Sequence, residues 1–297
     1  MNIFKCFKQL KKKEQCFLLY CLLDRIPIIV FGQSSEIIND FISALLNLIS
    51  FRKEFIYYTD FISNSELVSM IQNEYNDYNS MRVQIRCPAN TGIKAIEQFN
   101  SLISTVIGII IPPKNNIHLI EKSIKRKANK FLEIFLKEND ITIKDIGFDN
   151  KLINLNLEED ILTKISEDTE NSINKMKRVL YEKINKKEIN KELIESLLDF
   201  KIEKKEIKKN IFRKEIQNFY SGSKRAFFIL SKLNLLNTMQ IDSKIGSKTL
   251  LETINYKDIP IERIISFIEN EWGEDFSDLV ENNKLSFIGD KIQSFWG

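Results

Sequence analysis

Two residues of this chain combine a reactive type with a reactive position. Cys87 closes the β-rich run MRVQIRC and stands ahead of PANTGIKAIEQF, which reads as a turn entering a short helix. A thiol held at a helix N-terminus is a candidate nucleophile, because the helix dipole favours the thiolate. His118 is the only histidine. It follows the fourth apolar run, so it is the one imidazole available as a base beside that thiol. The supporting parts are thin. A phosphate loop built on such a cysteine needs an arginine six residues on. Ile93 stands there, and Lys94 comes one residue late without the guanidinium fork. Neither a Gly-x-Ser-x-Gly elbow nor His-Glu-x-x-His occurs. The bland alternative, a buried structural thiol and a surface imidazole, is preferred.

The second candidate is the turn FGQSSE. Gly32, Gln33, Ser34 and Ser35 open a helix whose free backbone N–H groups suit an anion. The turn lacks the lysine and the flanking glycines of a triphosphate loop, so an ordinary turn capped by a serine hydroxyl is the better reading. Asp60, after the second strand, is placed to meet a ribose hydroxyl or a metal. No second carboxylate stands beside it, and neither a metal nor a cofactor is expected.

These candidates are positioned by an alternation of short elements. Ile28 to Phe31 read as a buried strand, followed by a helix with Ile37, Ile38, Phe41, Leu45 and Leu48 at helical spacing. KEFIYYTDF is the second strand. Ser63 and Glu66 form a capping box for the helix that follows. MRVQIRC is the third strand, with Arg82, Gln84 and Arg86 alternating with apolar residues as on an exposed face or sheet edge. STVIGIII is the fourth, stopped by Pro112 and Pro113. The expected fold class is α/β, with an N-terminal four-stranded, mostly parallel sheet over 25–113 that resembles generic Rossmann-like sheets. That likeness implies an architecture and no activity.

Residues 1–24 read as a basic amphipathic helix covering the sheet, with an anionic membrane surface as the lesser alternative. Residues 114–220 read as a charged helical region, starting with one helix over 117–138. ITIKDIGF and KLINLNL suggest a hairpin around Asp149 and Asn150. Ser221, Gly222 and Ser223 look like a linker into a C-terminal module, 221–297, of helices ending in the hairpin KLSFIGDKIQSFW. In element order its last forty or so residues resemble a winged helix. Phe295 and Trp296 are the interaction candidates there, one expected to be buried and the other to anchor a partner.

With 43% apolar residues the chain has material for a real core, and only nine glycines and five prolines favour helices. Four cysteines without a Cys-x-x-Cys pair fit reduced thiols in a cytoplasmic protein. No apolar run is long enough for a transmembrane segment. The net charge of +3 is spread without a strongly basic block. The expected function is a non-catalytic binding, adaptor or regulatory protein that engages protein partners through its helical half. The alternative is a nucleic-acid-binding regulator with a C-terminal winged helix, for which Lys122, Lys125, Arg126, Lys127 and Lys130 offer a basic helix face. A cysteine-dependent enzyme is third.

Overall fold

The structure is a computed structural model describing residues 7, 9–111, 117–137, 140–149, 153–184, 203–256 and 259–281. Helix α1 (Lys12–Leu23) precedes strand β1 (Ile28–Gly32), and α2 (Ser35–Leu46) follows it. Then come β2 (Lys53–Ile56), α3 (Asn64–Asn76), β3 (Val83–Cys87), α4 (Gly92–Gln98) and β4 (Thr105–Ile110). Helix α5 (Ile117–Lys125), β5 (Phe131–Leu136) and β6 (Ile141–Ile146) complete the sheet. The helical half contains α6 (Asn156–Ile184), α7 (Glu203–Thr238), α8 (Ser247–Ile254) and α9 (Ile261–Trp272), with β7 (Ile245–Gly246) and β8 (Val280–Glu281) as a small parallel pair. Among the described residues, no helix is long and apolar enough to cross a membrane.

The chain is an α/β protein whose six-stranded sheet has the order β2-β3-β4-β1-β5-β6. Every pairing is parallel except β5 with β6. Strand β1 is buried along its whole length, as a central parallel strand covered on both faces must be. Alternate residues feed two cores. Ile28 and Val30 join α1, α2 and the helical half on one face, while Ile29 and Phe31 meet α3, α4 and α5 on the other. The stacked rings Phe51, Tyr220, Trp272 and Phe227 carry the first core from the sheet through α7 to α9, with neighbouring centroids 4.2, 5.7 and 4.9 Å apart.

The sheet does not end at residue 113. The expected single helix over 117–138 is α5 followed by β5, which pairs with β1. Ile120, Ile124, Phe131 and Phe135 fit helical spacing, yet pairing with β1 and β6 decides the second half. ITIKDI pairs back onto β5, not onto the residues after Asp149. Nor is β3 an edge: it lies between β2 and β4. Ser221–Ser223 is not a linker but the interior of α7. A Cβ on Gly222 would lie 3.0 Å from the Ile254 Cα, so glycine lets α8 pack closely there. The C-terminal hairpin, with Phe295 and Trp296, and the Pro112–Pro113 stop lie outside the described residues.

Candidate functional site

In an open parallel sheet, ligands bind beyond the strand carboxyl ends where neighbouring connections leave over opposite faces. Here that point falls between β1 and β4. Helix α2 leaves β1 over one core, and α5 leaves β4 over the other. Packing fills this crevice from below. A Cβ on Gly108 would lie 2.7 Å from Ile38 Cγ2, and one on Gly92 would lie 1.9 Å from the Gly108 carbonyl oxygen. Glycine at both positions brings α4, β4 and the first turn of α2 into direct contact.

The turn residues are spent locally. Gly32 is buried, while Gln33 and Ser35 are exposed. Ser34 is the N-cap of α2, its Oγ accepting the Ile37 N–H at 3.5 Å. The Asp60 carboxylate accepts the Ile56 N–H at 2.7 Å, and the Ile56 carbonyl accepts from the Thr59 and Asp60 amides. Strand β2 is a sheet edge. Asp60 and its turn therefore consume backbone groups that an incoming strand would otherwise pair with.

Cys87 is fully buried in the core under α3, α4 and α5. Burial pushes its thiol well above the ordinary range, opposite to the activation expected from a helix N-terminus. His118 is exposed on α5. Four apolar side chains of this rim are exposed: Ile37, Tyr58, Ile93 and Ile110. Tyr58 is held out by a left-handed backbone (φ 71°), with the Lys94 ammonium 5.4 Å from its ring centre.

The expected basic face at 122–130 is divided. Lys122, Lys125, Arg126 and Lys130 are exposed. Lys127 instead donates to the carbonyls of Ile96 and Glu97, and burial lowers its pKa. Clefts of about 330 Å³ and 300 Å³ open in the helical half. The first lies between α6 and α7, lined by Asp168, Lys175, Lys214 and Asn218. The second lies beside α9, lined by Glu262, Ile265, Glu269 and Asp275.

The largest polar constellation was not anticipated, and it lies at the opposite end of the sheet. Arg25, Arg52 and Arg82 stand just before β1, β2 and β3, and all are buried. Arg25 pairs with Glu74 at 2.6 Å, while the Arg82 guanidinium donates to the Glu74 carbonyl. Burial alone would lower the pKa of Arg25, but Glu271 and Glu74 raise it. Arg52 donates to the carbonyls of Leu22 and Leu23, to Gln84 and to Glu271. Arg263 of α9 meets Asp24 and Glu158 at 2.8 and 2.5 Å. The recurrence of arginine before three successive strands was the available signal. Removing one partner of such a buried pair leaves an uncompensated charge and strongly destabilises the fold. No family model matches the chain, and neither a curated protein nor a solved structure does.

Proposed function

We propose that the chain is an intracellular, non-catalytic adaptor that engages a protein partner through its helical half. One observation carries this reading. Phe228 and Leu235 share one face of α7 at seven-residue spacing, and Met239 and Ile241 lie just beyond the end of the helix. Leu235 is 60% and Met239 62% exposed. Isolated exposed apolar residues are ordinary, whereas an aligned row marks a contact surface. The tight packing beneath the rim at Gly108 and the buried Cys87 weigh against small-molecule chemistry there.

The test compares wild type with Leu235→Asp/Met239→Asp as bait in host lysate, scoring captured protein and nucleic acid. A defined protein retained by wild type and lost with the variant, at equal melting temperature, supports the reading. Capture of nucleic acid that falls steeply with salt would favour the basic-surface alternative. Magnesium ATP or GTP should leave the melting temperature unchanged, although a ligand at a hundred times its Kd stabilises by about 2.7 kcal/mol.

A further inference from the structure

The meeting point of α1, α6 and α9 holds more negative than positive charge. Arg263 reaches two acids with one guanidinium: Nη2 lies 2.8 Å from Asp24 Oδ1, while Nη2 and Nε lie 2.5 and 3.2 Å from Glu158 Oε1. All three residues are buried. Two ionised carboxylates cannot both be neutralised by one guanidinium in a site closed to water.

The two acids are unequally served. Asp24 also accepts from Asn270 Nδ2 at 3.3 Å, and the Arg52 guanidinium and the Tyr20 hydroxyl both favour its charged form. Glu158 Oε2 has no hydrogen-bond partner among the described residues. Arg52 is itself engaged by Glu271 at 2.6 Å. Further out, Asp145 adds negative charge near Cys21, and Lys12 near Cys16 is engaged by Glu159 at the surface; the titratable neighbours on α1 itself are Cys16, Cys21 and Tyr20. Burial holds each of these in its neutral form, and none supplies positive charge.

We propose that Glu158 is a neutral carboxylic acid in the folded protein, with its proton on Oε2, and that this proton keeps α9 seated against α1 and α6. A buried hydroxyl without an acceptor costs far less than a buried, uncompensated charge. Burial first, and then the Asp24 charge, push the Glu158 carboxyl up against the opposing pull of Arg263. Unfolding releases the proton to water once the pH exceeds the ordinary glutamate value. Stability contributed by the protonated form is therefore lost as pH rises toward the folded-state value.

The experiment follows denaturant unfolding of wild type and Glu158→Gln from pH 5 to pH 9. Glutamine keeps the shape and removes the titration. The ratio of the wild-type to the variant unfolding constant should rise up to about tenfold per pH unit until Glu158 titrates in the fold. Amide exchange in α9 should speed up over the same range in wild type relative to the variant. An infrared band of a protonated carboxyl should be present in wild type at neutral pH and absent in Glu158→Gln. Parallel pH profiles, absence of that band, or failure of Glu158→Gln to fold would overturn the proposal. The last result would mean that the ionised carboxylate is needed.

Discussion

Arg52, immediately before β2, and Glu271, near the end of α9, form a wholly buried ion pair at 2.6 Å across 219 residues of sequence. The guanidinium also holds the carbonyls of Leu22 and Leu23, so the pair ties α1, the sheet and α9 together. Glu271→Ala leaves a buried cation unpaired and should cost about 3–5 kcal/mol in urea unfolding. Arg52→Met/Glu271→Ala should cost less than the two single changes added. Strict additivity would mean that the two groups are not coupled.

The sheet should not stand without the residues that follow its first four strands. A fragment of residues 1–115 lacks β5, leaving one edge of the apolar β1 unpaired, and it lacks Glu271 and Arg263. It should give no cooperative melt, while the full chain should melt in one transition. A sharp calorimetric transition from the fragment would show that the first four strands fold without β5 and the helical half.

Cys87 should behave as an inert core thiol. Burial raises its pKa strongly, and that of the buried Cys16 to about 11. Alkylation at pH 8, mapped by peptide, should therefore reach Cys87 only as fast as the protein opens. Cys87→Ser places a hydroxyl in an apolar core and should cost about 1–3 kcal/mol. Rapid labelling in the native state would restore the enzymatic reading.

Ser63 and Glu66 form the expected capping box of α3. The Glu66 carboxylate accepts from the amides of Ile62 and Ser63 and from the Ser63 hydroxyl. The Ile62 amide bond first, then the Ser63 bonds, lower the Glu66 pKa. Its stabilisation is therefore present above the unfolded-state value and lost as acid protonates the folded carboxylate. Ser63→Ala should cost about 1 kcal/mol. Glu66→Gln should flatten the acid limb of the stability profile, and an unchanged limb would assign that limb to other carboxylates.

Local patterns reveal much of this protein. The run from Ile28 to Leu46, the Ser63–Glu66 box and the stop of α9 at Gly273 are each written in adjacent residues. FLEIFL is different: its residues suit a helix or a strand, and only the flanking strands β1 and β6 choose between them. Arg82 and Gln84 look like an exposed face because polarity alone does not show a partner. Glu74 and Ser104 accept from them and Arg52 donates to Gln84, and all three partners belong to other segments of the chain. Ser34 was recognisable as a cap, whereas the filling of the crevice above it depends on Ile38 meeting Gly108 across the fold.

The placement of β1 also governs how the chain is made. Its residues leave the ribosome early, but Ile28 pairs with Val106 on one side and Leu132 on the other. Until both have been synthesised, the most apolar strand keeps at least one unpaired edge, and loop closure across that distance slows the nucleus. A nascent chain paused before residue 131 therefore offers an unpaired edge of a hydrophobic strand to chaperones or to aggregation. Slowing translation ahead of β5 should lower the soluble yield, and slowing it after β6 should not.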